Sequence, residues 1–236
     1  MQVAAANMSA ASNIAYEEIR VPAGGTALTA DLSLPEDATG LVLFAHGSGS
    51  SRHSPRNRRV ASALNRGSIA TILADLLTED EERIDARTGA LRFNIELLIT
   101  RLSAITNWIG TQDRLNRLGL GYFGASTGAA AALATAANHP GIVHAVVSRG
   151  GRPDLAGPAL ARVHAPSLFI VGDDDPVVLR LNRAAIAALP DDTPHRLEII
   201  PGASHLFEEP GALDKVTELA RIWFQKYLKT PGELVG

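Results

Sequence analysis

Ser126 stands in Gly124-Ala-Ser-Thr-Gly128, between an apolar run ending in Tyr122-Phe123 and an alanine-rich segment reaching Leu133. A chain that passes from strand to helix in so few residues must turn sharply, and the residue at the apex is driven into a sparsely populated backbone conformation. Flanking glycines relieve the crowding, so the serine hydroxyl is raised above the strand end. The helix that follows begins with free N–H groups, and that of Thr127 faces the place where negative charge develops on an attacked carbonyl. Such a serine attacks acyl groups through a covalent intermediate. The same pentapeptide also occurs as a plain Gly/Ser turn, and the strand before it and helix after it favour the nucleophile.

A serine hydroxyl needs a base within hydrogen-bond reach, and the base needs a group to orient it. In strand–turn–helix serine sites these partners come later in the chain, acid first and histidine second. The run Pro166-Ser-Leu-Phe-Ile-Val-Gly172 ends in Asp173-Asp-Asp175-Pro176, which places carboxylates at a strand terminus; one of them can cap the next helix, and Asp175 is chosen as the acid. Of the histidines after Ser126, His139 caps a helix end or lies on the surface, His144 is inside a strand, and His164 and His195 precede strands at the opposite edge. His205, in Gly202-Ala-Ser-His-Leu-Phe207, follows a strand's carboxyl end and is taken as the base. A second oxyanion donor is expected from His46-Gly-Ser-Gly-Ser50, through the backbone of Ser48, with Gly47 or Gly49 as alternatives. His46 is expected to orient this loop. Arg149 and Arg152, just after another strand, are candidates to bind a substrate carboxylate.

Short apolar runs alternate with helical patterns and supply the frame. Tyr16–Val21 and Thr26–Leu34 flank Pro22-Ala-Gly-Gly25 and predict an antiparallel hairpin at the sheet edge. Leu41–Ala45, Ile69–Leu73, the run before Ser126, Gly141–Val147, Pro166–Val171 and Arg196–Ile200 predict buried strands. Helices are expected from Pro55 to Arg66, through Phe93, Leu97, Leu98, Leu102, Ile105, Trp108 and Ile109 with Trp108 in the core, over 158–163, over 177–189, and through Val216, Leu219, Ile222, Trp223 and Tyr227. Residues 77–92 read as a charged surface loop with a partial rim role. The pattern predicts a mostly parallel α/β sheet with helices on both faces, its functional groups gathered at the strands' carboxyl ends. Residues 1–15 read as a flexible tail and 16–236 as one domain.

Composition narrows the partners. The 236 residues carry a formal net charge of -3 and no cysteine, which excludes disulfides and thiolate chemistry and gives no bias toward nucleic acid. There is no apolar run long enough to span a membrane and no signal-like N-terminus, so a cytoplasmic location is expected.

Taken together, His46-Gly-Ser-Gly, Gly124-Ala-Ser-Thr-Gly, Gly172-Asp-Asp-Asp-Pro-Val-Val178 and Gly202-Ala-Ser-His-Leu-Phe207 resemble the dienelactone hydrolase family of α/β-hydrolases, over about Tyr16 to Leu228. The resemblance implies an α/β-hydrolase fold and puts the acid on Asp175 and the base on His205. Dienelactone hydrolases themselves carry cysteine at the elbow. With serine there, the chain is more similar to esterase-like members, including domains fused to phosphoribosyltransferases. Only residues 148–162 lie where a cap domain would be inserted, so no large cap is expected. The reading is a serine hydrolase for small carboxylic esters or lactones, needing no metal or cofactor. An acyltransferase or thioesterase on the same triad, or an inert binding module of the same fold, are the alternatives.

Overall fold

The structure, a computed structural model, describes residues 15–228. The expected N-terminal tail lies outside these residues up to position 14. Among the described residues eight strands form one sheet in the order β1-β2-β4-β3-β5-β6-β7-β8. The first two, β1 (Glu17–Ala23) and β2 (Thr26–Ser33), are the expected hairpin, and β2 also runs antiparallel to β4 (Ile69–Ala74). From β4 through β3 (Gly40–Ala45), β5 (Gly119–Ala125), β6 (Val143–Arg149), β7 (Ser167–Gly172) and β8 (His195–Ile200), all pairs are parallel.

Parallel strands covered on both faces need apolar side chains on both, and β3, β4, β5 and β7 are buried at every position. Helices α1 (Pro55–Arg66) and α6 (Ala212–Tyr227) close one face, with Val60, Leu64, Val216 and Phe224 packed on Val42, Phe44 and Phe123. On the other face lie α3 (Ile95–Gly110), α4 (Thr127–Asn138) and α5 (Pro176–Ile186), where Leu102, Ile105 and the alanines of α4 meet Leu43 and Tyr122. The α4 alanines are small enough for the helix to lie close over the sheet.

Five expectations are corrected. Residues 77–92 contain a helix, α2 (Glu79–Thr88), whose N-terminus is closed by a capping box: Thr78 Oγ1 accepts from the Glu81 N–H while the Glu81 carboxylate accepts from the Thr78 N–H. Phe93 is 59% exposed, because it precedes the Asn94 cap of α3 and so lies off that helix's apolar stripe. Trp108 is partly buried at the margin of the core, and Ile222 points outward from α6, whose buried stripe runs through Val216, Ala220, Trp223 and Phe224. The segment expected to be helical from 158 is a 3-10 stretch over Pro153–Arg162, broken at Gly157.

Candidate active site

Ser126 has φ 49° and ψ -121°, a left-handed conformation for a residue with a side chain. Two glycines permit it. A Cβ on Gly124 would lie 2.4 Å from Ala129 Cα, and one on Gly128 would lie 2.2 Å from the Ala45 carbonyl oxygen, so neither position has room for a side chain. The Ser126 N–H donates to the Arg149 carbonyl at 3.2 Å, and the Ser126 carbonyl accepts from the Arg152 N–H at 3.0 Å. The apex is thus held by the loop after β6 on both sides. Strain of this kind costs about 1–3 kcal/mol and persists only where the surroundings fix it.

Asp175 is the N-cap of α5, its Oδ1 accepting from the Val178 N–H, while its Oδ2 lies 2.6 Å from His205 Nδ1. One carboxylate therefore caps the helix and orients the imidazole. The tripeptide after β6 links this pair to the serine: a Cβ on Gly150 would be 3.5 Å from His205 Cε1, and the buried Asn182 of α5 donates to the Gly151 carbonyl at 3.0 Å. No hydrogen bond joins Ser126 Oγ to His205 at this geometry; serine–base contacts are commonly loose before substrate arrives.

The loop after β3 meets the start of α4. His46 is buried, its Nδ1 lies 3.0 Å from the Gly47 carbonyl, and its Nε2 accepts from the Leu76 N–H at 3.1 Å. That pattern requires one proton, on Nδ1, and burial lowers the pKa to match, so the ring is a neutral strut between the loops after β3 and β4. The Ser48 N–H, expected to serve the oxyanion, donates to Thr127 Oγ1 at 3.0 Å. The Thr127 N–H is at the first position of α4, where no intrahelical acceptor exists.

The two arginines differ. Arg152 forms a two-pronged pair with Asp154, at 2.9 and 2.8 Å, and has no free fork for a substrate carboxylate. Arg149 is only 8% exposed, its Nε and Nη1 are buried without partners, and its guanidinium lies 5.9 Å from the Phe207 ring centroid. Burial, reinforced by the like charge of Arg56, brings its pKa down to about 10. A buried cation without a counter-ion is costly, so its surroundings favour an incoming anion.

A cavity of about 300 Å³ opens beside Ser48 and Thr127, walled by the 46–51 loop, by Leu77 and Leu98, and by Glu82 of α2. It lies where β3 and β5 diverge in chain order, the usual place for ligands in such sheets. Sequence reasoning missed Asn182, Thr127 Oγ1 and Glu82; only the capping box of α2, Thr78-x-x-Glu81, signalled the helix carrying the last. Among the described residues no three His, Asp or Glu side chains are placed to hold a metal ion, and no helix is long and apolar enough to cross a membrane.

The strained serine on a strand–turn–helix apex, with an Asp–His pair on later loops of a mostly parallel sheet, defines an α/β-hydrolase. Comparison with known proteins is consistent with this. The chain belongs to the dienelactone hydrolase family, which it matches over residues 32–229. A dienelactone hydrolase structure from Anabaena variabilis is 53% identical, with a TM-score of 0.89, and the match covers 91% of this chain and 99% of that one. The esterase Est1E of Butyrivibrio proteoclasticus, seen with ferulic acid bound, is 18% identical with a TM-score of 0.75, over 89% of this chain and 98% of that one; it shares the fold. A curated protein of Mycobacterium tuberculosis, provisionally named a phosphoribosyl transferase, is 53% identical over 216 residues, which make up 92% of this chain and 47% of that protein. The chain thus spans about half the length of the curated relatives it matches.

Proposed function

We propose that this protein is a serine hydrolase that cleaves carboxylic esters or lactones of small molecules through an acyl-enzyme intermediate. Ser126 attacks the carbonyl, His205 Nε2 takes its proton and returns it to the leaving alcohol, and Asp175 holds the imidazole through Nδ1. The Thr127 N–H stabilises the oxyanion, joined by the Ser48 N–H once Thr127 Oγ1 gives up its bond. Water then attacks the acyl-serine with His205 as base. The observation that carries the reading is Ser126 at φ 49° with the 2.6 Å Asp175–His205 pair on neighbouring loops.

The Anabaena relative and the esterase Est1E support a hydrolytic reading, and the mycobacterial relatives' name favours no particular ester. Acyl transfer to another acceptor, or thioester cleavage, uses the same groups. The unpartnered Arg149 favours substrates with a carboxylate, which would supply its missing counter-ion.

A fluorophosphonate probe tests the assignment. The native protein is expected to label, with labelling lost in Ser126→Ala and reduced at least about a hundredfold in His205→Ala. Absence of labelling in the native protein would instead mean an inert module. Hydrolysis of anionic and neutral esters of equal acyl length, before and after Arg149→Met, tests the carboxylate preference.

A further inference from the structure

The cavity beside the 46–51 loop has an excess of negative charge that the fold leaves unbalanced. Each cation near it already has a carboxylate partner, although Arg92, in the cavity wall, keeps Nη1 without a hydrogen bond, 3.4 Å from where a Cβ on Gly49 would lie. Arg52 pairs with Asp75 at 2.5 Å, with Glu18 at 2.9 Å and with Asp31 at 3.3 Å, three carboxylates on one guanidinium. Arg92 is held by Asp85, which accepts from its Nε at 2.5 Å and from the N–H groups of Leu91 and Arg92. Glu82, half-buried in the cavity wall, forms neither a hydrogen bond nor an ion pair with any of these. Desolvation and the nearby Asp75, Glu79 and Asp85 raise its pKa above the ordinary 4.5 while Arg52 opposes the shift. The other polar groups facing this space include the hydroxyl-bearing Ser48, Ser50 and Ser51, which add no charge, and His46 is neutral.

We propose that this cavity receives a cationic, ammonium-type group of the substrate, and that Glu82 is the residue that selects it. The inference rests on the ester-hydrolase reading of Ser126 and names the substrate class for that site. An ammonium entering here meets an unpaired carboxylate in a partly desolvated cleft, where opposite charges attract more strongly than in water. An anionic group is repelled from the same wall. Arg149 lies on the other face of the sheet, among the residues packed by α1 and α6, so a substrate lying across Ser126 meets opposite charges at its two ends.

The test compares isosteric esters that differ only in charge. One pair carries it in the alcohol, as in a choline ester against its 3,3-dimethylbutyl analogue, and a second pair carries it in the acyl part. In at least one pair the cationic ester should be preferred on the order of tenfold in kcat/KM at low salt, a preference that shrinks as ionic strength rises. In Glu82→Gln the ratio within that pair should fall toward one, and in Glu82→Lys it should invert. Equal kcat/KM within both pairs, or a preference that survives Glu82→Gln, overturns the inference while leaving the hydrolase assignment standing. Failure of every ester together with an unlabelled Ser126 overturns both.

Discussion

At the scale of single residues, the placement of Ser126, Asp175 and His205 at strand ends was legible because each sits in a local motif. Gly124-x-Ser-x-Gly128 dictates a tight turn whatever surrounds it, and the positions of Asp175 and His205 follow from where strands end. What the sequence does not print is which polar atoms pair across distant loops: the Ser48 N–H on Thr127 Oγ1, the Asn182 amide on Gly151, and the lack of any partner for Arg149. His46 shows how such pairing becomes measurable. Its pKa is lowered on folding, so below the unfolded value near 6.5 the unfolded chain binds a proton that the folded protein resists. Stability supplied by the neutral ring is therefore complete above about pH 6.5 and lost as the pH falls, with a slope of about 1.4 kcal/mol per pH unit at most. His46→Gln keeps a carboxamide able to donate or accept but cannot titrate. Chemical denaturation between pH 7 and 5 should show a shallower loss of stability in the variant, by at most one proton; identical slopes would mean that His46 takes up its proton as readily folded as unfolded.

At the scale of elements, the strands and long helices announced themselves by apolar runs and periodicity, and α2 did not. Its buried residue is Asp85 and its exposed apolar one is Ile84, the reverse of an amphipathic surface helix, because Asp85 is turned inward to hold Arg92 and the N–H of Leu91. Hydrophobic pattern is blind to a helix anchored by charge. Its cap was visible, and it also does the anchoring: Glu81 closes the capping box through one oxygen and accepts from Arg101 of α3 at 2.7 Å through the other. Thr78→Ala removes the acceptor for the Glu81 N–H and should cost about 1 kcal/mol. Since α2 walls the cavity, hydrogen exchange over 79–88 should accelerate well beyond that in α3. Uniform acceleration across both helices would show that α2 does not open by itself.

At the scale of the molecule, the parallel core from β4 to β8 is covered on both faces, whereas the β1–β2 hairpin is fastened differently on its two sides. Toward α3 it packs Val21, Leu28, Ala30 and Leu32 into the apolar core. Toward α1 it presents Asp31, which accepts from Arg52 and from Arg58, and the Arg58 guanidinium lies 5.0 Å from the Tyr16 ring centroid. Arg52 belongs to the segment that follows the 46–50 loop, so one side chain ties β1 through Glu18, β2 through Asp31, and the end of β4 through Asp75. With the Arg52 side chain 17% exposed and those of Asp31 and Asp75 8% and 13%, solvent screens these pairs only in part. Arg52→Ala leaves Asp75 without its guanidinium partner while Arg58 still answers Asp31, so the loss should be about 3 kcal/mol rather than the full cost of a stranded buried charge. Arg52→Lys keeps the charge but has no planar fork to span three carboxylates, and should recover less than half of it. Urea unfolding monitored by Trp108 and Trp223 fluorescence measures both. Turnover should fall with stability in Arg52→Ala, because the same residue fixes the loop that carries the Ser48 N–H; a loss below about 1 kcal/mol with unchanged turnover would mean that the apolar face alone holds the hairpin and that the ion cluster does not couple it to the active-site rim.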